Sequence, residues 1–356
     1  MKICFVLERF TRRAIGGYKI VYEYANGLAN RGYQVSILYT NRSAFVNYKV
    51  PKKLYRLCSN IMTCVEPRWF RLNKSITKIS GTSKNFYKKI TDIDVCIATG
   101  VETVQYCLDY FSNSELIYLI QDFETWVRDK EEIYSTYNIG MRNVVVSNWL
   151  KILVDSHSSY KSVLIKNPID LNVYRIKKPI ELRKKHSIGL LYHTGEHKGL
   201  NYSIKTLSLL KEIYKDLEVY AFGTSEPNDE IPGLVKYIRD ASQQETVEIY
   251  NTVSIFICSS LNEGYGLTGM EAMACGTVLI SSDYAGVHEY GIDGYNCLLS
   301  PVREPEKMVN NIIKVFEDDN LKNNISRCGR ESLKEFTWDK AISKLESVLN
   351  DSHTYD

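Results

Sequence analysis

The chain has 356 residues, 44% of them hydrophobic and 24% charged, with only 8 Pro, which suits two globular domains and excludes fibrous and disordered classes. Lys, Arg, Asn or Asp interrupts every apolar run before bilayer length, and the nine scattered cysteines lack a C-x-x-C pair, so no membrane span and only reduced cytoplasmic thiols are expected. The net charge of +3 hides an asymmetry: residues 1–90 hold 18 Lys+Arg against Glu8, Glu23 and Glu66, a net of +15, and the other 266 residues carry −12, which predicts an anionic partner surface for the first half.

Met1-Lys2 leads straight into Ile3-Cys-Phe-Val-Leu7, too short for a signal-peptide core and read as the first buried strand. Gly16-Gly17 precede a predicted helix, Tyr18–Asn30, with Ile20, Val21, Tyr24, Ala25 and Leu28 on one face and Gly32 as its stop. Paired glycines there allow a sharp bend and offer amides to an anion or a sugar hydroxyl; a plain strand-to-helix turn is the alternative. The dinucleotide fingerprint G-x-G-x-x-G is missing, which disfavours an oxidoreductase. Further strands are expected at Gln34–Thr40, Asp94–Ala98, Leu116–Ile120 and Asn143–Ser147, and their continuous apolar character predicts a parallel sheet covered on both faces.

Lys49–Lys89 holds eleven Lys or Arg against Glu66 alone, interleaved with Tyr55, Trp69, Phe70, Phe86 and Tyr87. This pattern predicts peripheral attachment to an anionic lipid surface. Nucleic-acid binding competes but has no accompanying motif, so no nucleic acid is expected; a solvated lysine-rich face is the plainest reading. Asp92-x-Asp94 mimics a metal-binding pair, yet it opens an apolar strand. Gln121-Asp122-Phe-Glu124-Thr-Trp126 sits at a strand's carboxyl end, where Asp122 or Glu124 either binds a sugar or acceptor hydroxyl or caps the following turn.

Lys166–Tyr174 and Lys177-Lys-Pro179 read as the connection to a second strand–helix series beginning at Ile188–Tyr192. His193-Thr-Gly-Glu-His197-Lys198-Gly199 follows that strand. It spells the H-x-x-E-H of a zinc enzyme class, but Gly195 and Gly199 break the helix such a site needs, and zinc is not expected. Helix Leu200–Tyr214 and strands near Leu217–Phe222, Val253–Cys258 and Thr277–Ser281 follow. Between the last two lies Asn262-Glu-Gly-Tyr-Gly-Leu-Thr-Gly-Met-Glu-Ala-Met-Ala-Cys-Gly276, with Glu263 in a glycine-broken loop and Glu271 in a short helix beginning near Leu267 or Thr268. Gly264 and Gly266 let amides approach a ligand, the helix start presents N–H groups to a phosphate, and both carboxylates can accept hydrogen bonds from hydroxyls. Trp338, Ala341, Ile342, Leu345, Val348 and Leu349 form one face of a last helix.

This run, with Ala285-Gly-Val-His-Glu289, Asp293-Gly-Tyr-Asn296 and Phe336-Thr-Trp338, resembles the retaining family-4 glycosyltransferases (glycosyltransferase group 1) of the GT-B fold, closely over residues 188–350 and more loosely before. The Gln-Asp-aromatic-Glu run is similar to one in bacterial surface-polysaccharide transferases, rhamnosyltransferases included. The resemblance implies two Rossmann-like α/β domains facing across a cleft: 1–168 for the acceptor, 169–336 for the nucleotide sugar, and 337–356 returning onto the first. It implies transfer of a hexose or deoxyhexose from a nucleotide-diphosphate sugar to a glycan or lipid-linked acceptor, in capsule or surface-polysaccharide synthesis at the inner face of the plasma membrane. Neither a metal nor another cofactor is implied.

In residue terms the resemblance makes Glu263, Lys198 and Asp122 catalytic, with Lys198 clamping the diphosphate. Glu271 holds the ribose, and Gly264, Gly266, Leu267, His193 and Arg239 complete the donor site. The arginine that relatives carry before this lysine is absent between Ile188 and Gly199, which leaves its part to His193 or another basic residue. Gly16, Gly17 and Glu124 fall to the acceptor and phosphate loop. A sugar-nucleotide epimerase and a non-catalytic partner subunit of a transferase are the alternatives.

Overall fold

The computed structural model describes residues 1–42, 51–227 and 230–351, so Lys49, the first residue of the basic stretch, lies outside them. Thirteen strands among the described residues form two all-parallel sheets in two units, one comprising Met1–Asn167 with Trp338–Asp356 and the other Pro168–Thr337.

The first unit contains β1 (Lys2–Leu7), β2 (Gln34–Tyr39), β3 (Thr77–Ser80), β4 (Val95–Ala98), β5 (Glu115–Ile120), β6 (Arg142–Val145) and β7 (Val163–Leu164), in the order β3-β2-β1-β4-β5-β6-β7. Parallel neighbours need crossover connections, and helices such as Gly16–Asn30 and Val101–Tyr110 supply them and cover the sheet. Central strands buried on both faces have no solvent side to mark with polar residues: Ile3, Phe5, Ile37, Ile97 and Ile117 are all essentially inaccessible. Helix Trp338–Asn350 belongs to this unit. Trp338 meets Tyr24 edge to face at 5.4 Å, Arg31 is ion-paired to Asp339 and Glu346, and a Cβ on Gly27 would lie 2.1 Å from Ile342.

The second unit contains β8 (Ser187–Tyr192), β9 (Glu218–Gly223), β10 (Leu234–Arg239), β11 (Ile255–Cys258), β12 (Val278–Ser282) and β13 (Leu298–Ser300), ordered β10-β9-β8-β11-β12-β13. Its core joins Ile188, Leu190, Val219, Ile255, Ile257 and Ile280 to Leu207 and Leu210 of helix Leu200–Ile213 and to Met308, Ile312 and Phe316 of helix Pro305–Glu317. Within the stretch read as the connection, residues 168–174 are tied to this unit: Ile169 N–H donates to Phe336 C=O at 2.9 Å, and Arg330 donates to the carbonyls of Leu171 and Tyr174.

Both units are therefore α/β and Rossmann-like, the two halves of a GT-B fold. Each sheet has one place where successive connections leave in opposite directions, between β1 and β4 and between β8 and β11. Ligands of open parallel sheets bind at the carboxyl ends of such strands. Among the described residues no helix is long and apolar enough to cross a membrane, and all nine cysteines are free.

Candidate functional site

In the second unit the switch point is built from two loops laced together. After β8 the chain makes a 3-10 turn at Glu196–Lys198 and reaches Gly199, whose φ of +61° begins helix Leu200–Ile213. After β11 it passes Ser259, Ser260 and Glu263 to Gly266, whose φ of +90° begins helix Leu267–Ala274. Leu261 N–H donates to His197 C=O at 2.7 Å, and Ser259 Oγ donates to Gly199 C=O at 2.7 Å. A Cβ on Gly199 would lie 2.1 Å from the Ser259 carbonyl oxygen, and one on Gly266 would lie 1.8 Å from the Tyr284 hydroxyl. Both glycines are required by backbone conformation and by close approach.

Lys198 Nζ lies 2.9 Å from Glu263 Oε2, with the two side chains 21% and 10% exposed. The Ser260 hydroxyl donates to the other oxygen, Oε1. Burial pushes the Glu263 carboxyl upward, but the Lys198 ammonium and the Ser260 hydroxyl outweigh it and hold the group below its ordinary value. Glu263 is therefore a carboxylate at neutral pH, with lone pairs left for hydroxyl donors. Burial, then the Lys198 charge, lowers His193. Its Nδ1 accepts Gly195 N–H at 3.0 Å, so the neutral ring carries its proton on Nε2 and serves as an uncharged donor. The His193 and His197 rings stand 5.8 Å apart across the 3-10 turn rather than on an α-helical face.

Glu271, one helical turn on from Leu267, accepts the Tyr174 hydroxyl on Oε1 at 2.6 Å and the Tyr250 hydroxyl on Oε2 at 3.1 Å. Burial drives both tyrosines well above the usual phenol range, and the nearby Glu271 charge adds to it, so they stay protonated donors that fix the carboxylate's direction. Gly264, Gly266 and Leu267 lie along the loop and helix start between the two glutamates, and Tyr290 donates to Gly266 C=O at 2.6 Å. Arg239 is exposed at the end of edge strand β10, with its guanidinium 2.6 Å from Glu226.

The other predicted residues collect at the β1/β4 switch point of the first unit. Gly16 and Gly17 differ from expectation. They are the first two residues of helix Gly16–Asn30 rather than a bend before it, and neither has a positive φ. What Gly17 provides is space, since a Cβ there would lie 3.4 Å from the Gln121 amide. Asp122 accepts the N–H of its own neighbour, Phe123, at 2.8 Å, one residue short of the span of an Asx turn. Glu124 accepts Val101 N–H at 2.6 Å, at the start of helix Val101–Tyr110. Burial pushes Glu124 up to about 7, partly opposed by that N–H and reinforced by Asp122, Glu102 and Glu8. Glu8, hydrogen-bonded to Glu102, is likewise raised to about 7 by burial and then by the Glu102 charge. Asp94 of the D-x-D pair takes the Lys2 N–H at 2.6 Å, a strand-end contact.

Sequence reasoning missed Ser260, Tyr174, Tyr250, Glu8 and Glu102. Only Ser260, three residues before Glu263 at a strand's end, carried a local signal; the tyrosines reach Glu271 from 97 and 21 residues away.

Residues 175–332 match the family model described as glycosyl transferases group 1. Among curated proteins the chain is similar to an uncharacterised glycosyltransferase of Methanocaldococcus jannaschii, 22% identical over 228 residues, which are 61% of each chain. It is also similar to a D-inositol 3-phosphate glycosyltransferase of Corynebacterium diphtheriae, 28% identical over 122 residues, or 34% of this chain and 29% of that one. The chain thus spans less than two thirds of either relative. Among solved structures, sucrose-phosphate synthase from Thermosynechococcus elongatus superposes with a TM-score of 0.74 at 14% identity, covering 98% of both chains. Anabaena HepE in complex with UDP-glucose gives 0.73 at 13% identity, covering 98% of this chain and 99% of that one. At such identity these structures speak for the fold.

Proposed function

With a glycosyl transferases group 1 domain over residues 175–332, we propose that this protein transfers a hexose or deoxyhexose from a nucleotide-diphosphate sugar to a glycan or lipid-linked acceptor, with retention at the anomeric carbon. The observation that carries this reading is the pairing of Lys198 with a buried, ionised Glu263 beside the start of helix Leu267–Ala274. An ammonium and a set of free backbone N–H groups at one loop crossing suit a diphosphate, and two oriented carboxylates suit sugar and ribose hydroxyls.

In the reaction the bond from the anomeric carbon to the diphosphate oxygen breaks, and a bond to the acceptor oxygen forms on the same face. The acceptor proton passes to the leaving phosphate. Charge developing on that phosphate is met by Lys198, the amides around Gly266 and Leu267, and the neutral N–H of His193, with no metal ion required. Glu271, held by Tyr174 and Tyr250, takes the ribose hydroxyls; Glu263 takes a hydroxyl of the transferred sugar. Asp122 and Glu124 act toward the acceptor, whose assembly into bacterial surface polysaccharide would bring the basic first unit to an anionic lipid surface.

A thermal-shift screen against UDP, GDP, dTDP and their sugar conjugates tests the reading. One nucleoside diphosphate should raise the melting temperature selectively, and Glu271→Ala should remove that rise while leaving the unliganded melting temperature within a few degrees. A folded protein that responds to none of them would overturn it.

A further inference from the structure

Helix Lys52–Val65 is turned inside out. Its polar side faces the protein: Ser59 and Thr63 are 0% and 1% exposed, and the Asn41 amide donates to Thr63 Oγ1 at 3.1 Å and to Ser80 Oγ at 3.0 Å. Its apolar side faces solvent, with Leu54 49%, Leu57 56%, Ile61 52% and Val65 46% exposed. At 100° per residue these four side chains fall within about 80° of one another, a continuous stripe. A surface helix that served only its own fold would present the opposite faces.

The flanks of the stripe are cationic. Lys53 lies along one side, and on the other the Arg12 guanidinium stands 3.5 Å from Met62 Sδ. The helix has no acidic residue. We propose that this helix lies in the plane of an anionic lipid bilayer's interface, with Leu54, Leu57 and Ile61 inserted among the acyl chains and Lys53 and Arg12 against the headgroup phosphates. Long basic side chains beside an apolar stripe keep their charges at the headgroup level while their stems stay in hydrocarbon. A second copy of the chain is the other cover such a stripe could have. It would set cation against cation across the contact with no acid on either helix to offset them, whereas an anionic leaflet is complementary on both counts. The inference rests on the lipid-surface contact proposed above and deepens it from charge attraction to insertion.

The test uses the full chain with phosphatidylcholine vesicles, with and without phosphatidylglycerol. Tryptophan emission of Leu57→Trp should shift to the blue on the anionic vesicles and should be quenched by brominated acyl chains. The combined variant Leu54→Ser, Leu57→Ser, Ile61→Ser should lower vesicle partitioning about tenfold with a melting temperature within a few degrees of wild type, since about half of each side chain is already in solvent. Lys53→Gln with Arg12→Gln should weaken the salt-sensitive part of binding. Co-sedimentation without a blue shift, no binding to anionic vesicles, or a dimer by light scattering that the serine variant abolishes would each overturn the proposal. The nucleotide-dependent thermal shift, measured on the same preparation, keeps the two readings separable: a retained shift with no vesicle binding refutes insertion alone.

Discussion

Glu124 reaches a pKa of about 7 because burial disfavours its charge more than one backbone N–H favours it. The sign of its effect on stability follows. Between its ordinary carboxylate value and about 7 the folded protein holds a proton that the unfolded chain has released, so folding is favoured at the acid end and loses stability as pH rises through that window. Glu124→Gln keeps an acceptor for Val101 N–H and removes the charge. Its melting temperature should match wild type near pH 5 and exceed it near pH 8, by a stability difference on the order of 1–3 kcal/mol. Equal melting at both pH values would show that the carboxyl ionises freely. Glu263 is the opposite case, ionised because Lys198 and Ser260 stand against it. The Glu263, Glu271 and Lys198 positions could be read from the run of residues around them. Their actual partners could not, because a hydroxyl from Tyr174 or Tyr250 is brought to Glu271 by the fold and not by neighbouring sequence.

Strands and helices were legible where burial on both faces leaves an unbroken apolar run, as in β1, β5, β8 and β12, and where a helix has a single apolar face, as in Gly16–Asn30. Strands β3, β7, β10 and β13 went unread for a different reason. β10 is an exposed edge, β7 and β13 are two and three residues long, and β3 lies in the lysine-rich stretch, so none carries the burial pattern that periodicity detects. Helix Lys52–Val65 was legible only as charge, since its apolar stripe points away from any core. At this scale Gly266 offers a sharp comparison with Gly294, whose φ is +72° but where a Cβ would meet nothing within 4 Å. Gly294→Ala should cost about 1 kcal/mol, the backbone term alone. Gly266→Ala meets that term and the Tyr284 hydroxyl as well, and should lower the stability of the second unit by about 3 kcal/mol or more while abolishing its nucleotide response. Denaturant titration of the two variants decides between them; similar midpoints would refute the crowding at Gly266.

The two units have different dependence on the last helix. Ala341, Ile342, Leu345, Val348 and Leu349 are all buried in the first unit, and at about 1.5 kcal/mol or more for each larger side chain their loss approaches the whole stability of an ordinary domain, about 5–15 kcal/mol. A chain ending at Thr337 should therefore lose the first unit's cooperative melting and become open to proteolysis within residues 1–167, while residues 168–337 remain resistant and keep their nucleotide response. Retention of both melting transitions would refute this dependence. Charge asymmetry at the same scale, +15 within the first 90 residues, was read from composition alone; which surface carries it required the fold.

Because the first unit is completed by Trp338–Asn350, its parts are separated in time as well as in sequence. A ribosome that has delivered the first 167 residues has yet to make the helix that covers Tyr24 and Gly27, and it must translate the whole second unit before doing so. At elongation rates of about 5–20 residues per second that interval lasts on the order of ten seconds or more. The nascent amino-terminal segment spends it with apolar surface uncovered, so a chaperone that holds emerging chains should associate with this segment until the last helix leaves the exit tunnel.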